Sequence, residues 1–214
     1  MLVGKGALTT RCFRVSGKNP TPKPEKIAER LEQLAFAGMG EAEEGAVAGW
    51  VGPEHLFDGD FEPTRLVRGR YVTFALRVDT RKVPGGLLAA HLAVEVAATK
   101  EAEGLEHLSA SRRRQLKADL KRRLLAELPP VQRAYGVFWN VHSRRLFLQS
   151  TSKAVVEQFT ALFERTFDLE VAPHAPGVTA AEWAREHGAL DALKDARPLL
   201  LGTAARNGDL AAVG

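Results

Sequence analysis

Cysteine is almost absent from this chain. Cys12 alone stands among 214 residues, which excludes an intramolecular disulfide and any zinc-ribbon spacing, and fits a reducing compartment. It lies in an apolar–polar alternation with Leu8, Arg11, Phe13 and Val15, the setting of a buried strand thiol rather than of a nucleophile. Long hydrophobic runs are missing too. Nothing approaches about 18 uninterrupted apolar residues, so no membrane span is expected. Met1 to Thr10 lacks a charged start followed by an apolar core, so no secretory signal is read and the cytoplasm is the expected address.

Catalytic signatures are also lacking. The six histidines (His55, His91, His107, His142, His174 and His187) form no HExxH pattern, and His142, beside a turn, reads as a surface residue. Gly4-Lys5-Gly6 lacks the spacing of a phosphate-cradling loop, and no Gly-x-Ser-x-Gly elbow occurs. The acidic cluster to be weighed as a metal site is Asp58, Asp60 and Glu62 with Glu54 nearby, in a loop bounded by Gly and Pro. A nuclease needs carboxylates held rigidly around a cation, and a loop holds them poorly. No Glu-x-Lys pair occurs. No metal site is expected at these carboxylates, and no cofactor is read from the sequence. Aromatics are sparse and follow strand or helix spacing, so Tyr71 and Tyr135 read as core or rim. No single strand interleaves aromatic with basic residues as single-strand binders do. That favours backbone-directed, sequence-tolerant binding over base reading.

What the chain does have is clustered positive charge. The overall balance is mild, +4 with a pI near 9.4, in a composition 45% hydrophobic and 26% charged that is ordinary for a globular protein. Yet seven of the twelve residues from Arg112 to Arg123 are Lys or Arg: Arg112, Arg113, Arg114, Lys117, Lys121, Arg122 and Arg123. Only Asp119 opposes them. Leu116, Leu120, Leu124 and Leu128 recur every four residues, so one stripe of this helix faces a core and the cations are expected to point away from it. The bland reading of such a run is a solvated helix face. The functional reading is a polyanion site, and nucleic acid fits because each phosphate contact releases counterions. Arg113, Lys117 and Lys121 are the foremost candidates by their four-residue spacing. Arg144 and Arg145, at a hairpin turn, are further ones.

Periodicity and breakers predict strands over Gly6–Val15, Val47–Val51 and Leu66–Val78 and a helix over Glu25–Phe36, with an acidic loop at Glu41–Gly45. Two central helices follow, Leu87–Ala102 and Ser111–Leu128, the second capped by Ser109 or Ser111 and stopped by Pro129-Pro130. Then come a hairpin of Ala134–Val141 and Arg145–Gln149, a helix over Ser152–Phe167, a strand over Asp168–Ala172, and a short helix capped by Thr179. The fold class expected is α+β: antiparallel sheets with packed helices, two partly symmetric halves, and a protruding basic helical hairpin. The organisation reads as a first half over 1–84, the hairpin over 85–130, a second half over 131–187 and a loosely held tail over 188–214.

Several stretches, in this order, resemble the RdgC family of recombination-associated proteins. They are Leu34-Ala35-Phe36, then Gly49-Trp50-Val51-Gly52-Pro53, then Val83-Pro84 before a long helix. The basic helix closed by Leu128-Pro129 is next, followed by Val137-Phe138-Trp139-Asn140, Leu146-Phe147-Leu148, Ser150-Thr151-Ser152-Lys153-Ala154 and Ala181-Glu182-Trp183. The resemblance implies a DNA-binding protein and not an enzyme: a ring-shaped dimer with a basic hole around duplex DNA, little sequence preference, and restraint of RecA-type strand exchange by occupying DNA. Two departures limit it. Familiar members continue well past the Trp183 region, and that further part helps form the base of the monomer and one of two dimer contacts. The expectation is therefore a shortened homologue that dimerises through one contact or not at all. The family also places an aromatic soon after the Leu-Pro pair, where this chain has Pro130, Val131 and Gln132.

The partners expected are double-stranded DNA first, single-stranded DNA second, and a second copy of the chain in a homodimer, at the nucleoid. The alternative is an interaction or inhibitor module whose basic helix binds an acidic protein. An enzyme would instead announce itself by a cation requirement at Asp58, Asp60 and Glu62.

Overall fold

The computed structural model describes residues 9–39 and 44–196. Gly6–Leu8 of the first predicted strand, Glu41–Glu43 of the acidic loop, and the tail from residue 197 lie outside the described residues. The chain forms two compact units, one ending at Pro173 and one beginning at His174.

The first unit runs β1 (Arg11–Ser16), α1 (Pro24–Gln33), β2 (Gly45–Val51), α2 (Pro63–Leu66), β3 (Val67–Arg68), β4 (Tyr71–Arg81), α3 (Gly85–Glu103), α4 (Ala110–Glu127), β5 (Val131–Asn140), β6 (Arg145–Leu148), α5 (Lys153–Phe167) and β7 (Glu170–Pro173). Its strands build one antiparallel sheet in the order β2-β4-β5-β6-β1-β7, with β3 on the edge of β4. Strands from both sequence halves therefore share a single sheet, and β1 is inserted between β6 and β7. The fold is the expected α+β class, antiparallel with packed helices.

The core lies on one face of that sheet. Strand alternation sends Phe13, Val15, Trp50, Phe74, Leu76, Val137, Trp139, Leu146 and Leu148 inward, where Ile27 and Leu31 of α1 and Phe159, Phe163 and Phe167 of α5 meet them. The aromatics interlock edge-to-face: Trp50 with Phe74 at 5.2 Å, and Trp139 with Phe163 and Phe167 at 5.2 Å each. The Trp50 indole N–H donates to Thr166 Oγ1 at 2.8 Å, and that hydroxyl donates to Leu162 O at 2.6 Å.

Two boundaries differ from the sequence reading. The strand predicted over Leu66–Val78 starts with the helical turn α2, because Pro63 favours a first helical position. It then folds back at Gly69-Arg70, with Gly69 at φ +61 where a two-residue hairpin takes glycine. In the second unit, α6 (Pro176–Glu186) begins before Thr179, again at a proline, and Thr179 Oγ1 lies 2.9 Å from His174 Nε2 instead of capping. Gly188 at φ +66 turns the chain into α7 (Leu190–Asp195), a short helix the sequence did not reveal. Trp183 stacks on His187 there, with ring centroids 4.3 Å apart. No helix among the described residues is long and apolar enough to cross a membrane.

Candidate nucleic-acid interface

Ser109 starts α4. Its side-chain oxygen accepts the Arg112 N–H at 3.2 Å, satisfying one of the donors that every helix leaves open at its first turn. The helix ends at Leu128, before the two prolines. Leu120, Leu124 and Leu125 bury against Leu88 and Leu92 of α3 and Val83, forming a core separate from that of the sheet. Arg112 pairs with Glu103 at 3.0 Å, near the end of α3, and Arg123 pairs with Glu95, so the two helices run antiparallel.

The seven cations do not share one face. At about 100° per residue, Arg112 and Arg123 lie on one flank of the leucine stripe and Arg114 and Lys121 on the other, with Arg122 opposite. Arg113 and Lys117 continue the stripe itself toward the N-terminus of α4. The sequence reading had placed all the cations away from the stripe. Four-residue spacing is the reason they are not, since it tracks leucines and cations alike.

Local carboxylates hold four of the seven. Arg112 and Arg123 reach α3, Lys121 pairs with Glu44 ahead of β2, and Arg122 pairs with Asp119 one turn back. The hydrogen bond that the Arg123 guanidinium donates to the Glu95 carboxylate raises the guanidinium's pKa. Arg113, Arg114 and Lys117 are exposed, and no carboxylate among the described residues pairs with them. Arg114 Nε donates only to the Ala110 carbonyl at 3.3 Å. The uncompensated charge is thus concentrated in the first two turns.

Arg144 and Arg145 do not join this cluster. They sit at the β5–β6 turn, where Arg144 takes φ +54 and the Asn140 side-chain oxygen accepts the Ser143 N–H at 3.1 Å. The ten residues of β5, roughly 30 Å at about 3.3 Å each, separate that turn from the end of α4.

The loop that carries Asp58, Asp60 and Glu62 is tied to itself. Asp58 is 4% exposed, and its carboxylate accepts the N–H groups of Glu54 at 3.0 Å and Asp60 at 3.2 Å and faces Arg65. A Cβ on Gly52 would stand 2.5 Å from that carboxylate, so glycine lets the loop close on it. The Glu62 N–H and then Arg65 hold the Asp60 carboxyl below its ordinary range. Among the described residues no group of three or more His, Cys, Asp or Glu could hold a metal ion.

A buried ion pair escaped the sequence reading. Arg77 and Asp79, two apart on β4, share one side of the strand and meet in two parallel hydrogen bonds of 2.8 Å. The guanidinium lies between the rings of Phe36 at 4.1 Å and Phe57 at 4.8 Å. Alternation within an otherwise apolar strand was the available signal.

Compared with known proteins, residues 9–194 match the family described as "Putative exonuclease, RdgC". No curated protein matches the chain.

Proposed function

The chain belongs to the RdgC family, and on that premise we propose that it is a non-enzymatic, sequence-independent DNA-binding protein that modulates recombination by occupying DNA. One observation carries the proposal. On a helix whose other cations are neutralised locally, Arg113, Arg114 and Lys117 are exposed and have no carboxylate partner among the described residues. Such a cluster is at its most favourable against phosphates, where each contact also releases counterions. The ion pairs of Arg112 and Arg123 with α3 act as struts, and Lys121 adds a contact only by leaving Glu44. Duplex occupancy of this kind would restrain RecA-type strand exchange, and a homodimer would double the basic surface.

The non-enzymatic part of the reading departs from the word exonuclease in the family's description. Its support is that Asp58, the most buried acid among Glu54, Asp58, Asp60 and Glu62, is committed to its own loop's N–H groups. The test is fluorescence anisotropy on a random duplex of about 30 base pairs across a salt series. Wild type is expected to bind tightly with steep salt dependence, and Arg113→Ala/Lys117→Ala/Lys121→Ala to lose most of that binding. Loss of nucleotides from an end-labelled strand in magnesium or manganese would contradict the non-enzymatic reading. One-to-one capture of an acidic protein without duplex binding would favour an interaction module instead.

A further inference from the structure

The connection from β1 to α1 is stiff. Pro20, Pro22 and Pro24 fix its backbone, and Asn19 takes the left-handed region at φ +55. Gly17 lets it leave β1 close against the end of α5, since a Cβ there would stand 3.3 Å from the Leu169 side chain. The connection starts at the end of the sheet that holds the β5–β6 turn, where the Val15 N–H donates to the Arg144 carbonyl at 2.9 Å. The length of β5 separates that end from α4.

A cleft of about 480 Å³ opens where this connection meets α1 and the end of α5. Lys18, Lys26 and Arg30 line it together with Asn19, Thr21 and Asp168. Arg30 is held in place, its Nη1 donating at 2.9 Å to the Thr166 carbonyl, one of the acceptors that α5 leaves open in its last turn. Lys18 and Lys26 are exposed, and no carboxylate among the described residues pairs with either. Glu25 and Glu29 flank Lys26 on α1 but are not part of the lining. Asp168 is the one carboxylate in that lining, and no cation among the described residues pairs with it. The charged groups therefore share the cleft without closing it, and the cations outnumber the carboxylate by two.

An excess of that size suits a dianion. A phosphate monoester carries about −1.5 to −2 at pH 7, whereas each phosphate inside a DNA strand carries a single charge. The guanidinium, two ammonium groups, an amide and a hydroxyl offer enough donors for all of its free oxygens. A carboxylate, with one charge and two oxygens, uses the same set less fully. The geometry points to a phosphate-monoester site in this cleft, in which Lys18, Lys26 and Arg30 hold the phosphate. The site does not rest on the DNA-binding reading of α4. A free nucleotide and the 5′ end of a DNA strand both present the group it takes.

Isothermal titration calorimetry with thymidine 5′-monophosphate, with thymidine as control, tests the site. Wild type is expected to bind the monophosphate and not the nucleoside. Lys18→Gln/Lys26→Gln, checked for folding by circular dichroism, should weaken that binding at least about tenfold. Asp168→Asn removes the opposing carboxylate and should tighten it, since asparagine tolerates the left-handed backbone at φ +53. Arg113→Ala/Lys117→Ala should leave it unchanged. A second arm compares blunt duplexes with and without 5′-phosphates. Tighter binding of the phosphorylated duplex, lost in Lys18→Gln/Lys26→Gln, assigns the site to DNA ends. Equal binding of the two duplexes beside binding of the monophosphate assigns it to free nucleotides. A wild type that neither binds the monophosphate nor distinguishes the duplexes would overturn the site, as would a folded Lys18→Gln/Lys26→Gln that behaves like wild type. Neither result touches the α4 reading, which binding of the unphosphorylated duplex tests separately.

Discussion

Arg77 shows how one residue can organise its surroundings. A guanidinium 7% exposed would be costly to bury alone, and here Asp79, the Leu56 carbonyl and two aromatic rings compensate it. Removing one partner strands the other. Arg77→Leu is expected to destabilise the fold by about 3–5 kcal/mol in urea titration, because among the described residues Asp79 keeps only Gln132 as a side-chain donor. Arg77→Leu/Asp79→Leu should recover much of that loss, and a double variant no better than the single would refute the account. The two buried tryptophans make a finer comparison. Trp50 donates to Thr166, whereas the Trp139 indole N–H has no partner among the described residues. Trp50→Phe should therefore cost about 1 kcal/mol more than Trp139→Phe by thermal or urea denaturation.

At the scale of elements, α4 depends on its cap and its partner helix more than on its own composition. Like charges within its first turns repel, and the Ser109 cap and the ion pairs to Glu95 and Glu103 oppose that repulsion. Ser109→Ala should lower stability by about 1 kcal/mol and fray the segment that carries Arg113. Amide hydrogen exchange over 110–117 measures it: faster exchange confined to that stretch is expected, and unchanged exchange would contradict it. The helix was legible in the sequence because leucines at four-residue spacing, a Ser before the run and Pro129-Pro130 after it all agree. The β5–β6 hairpin was legible for a similar reason, with alternation on both sides of a short polar turn. The orientation of the basic side chains was not, because repeat spacing does not say which carboxylates on α3 or ahead of β2 come within reach.

For the molecule as a whole, local pattern set the class of fold and long-range pairing set its layout. The placement of β1 between β6 and β7 depends on contacts between residues more than 130 positions apart, such as Phe13 with Leu146, and no local signal encodes that. Of the candidate site, the sequence revealed the concentration of charge. The structure supplied the division between cations held by local carboxylates and cations left open to a partner.

That division is the central claim, and the salt dependence of duplex binding tests it most directly. The logarithm of the affinity should fall linearly with the logarithm of salt concentration, with a slope set by the number of phosphates contacted. Arg113→Ala/Lys117→Ala should reduce that slope by about two, while Arg122→Ala, on the opposite side and paired with Asp119, should change it by less than about one. A slope unaffected by the double substitution, or reduced equally by Arg122→Ala, would contradict the account.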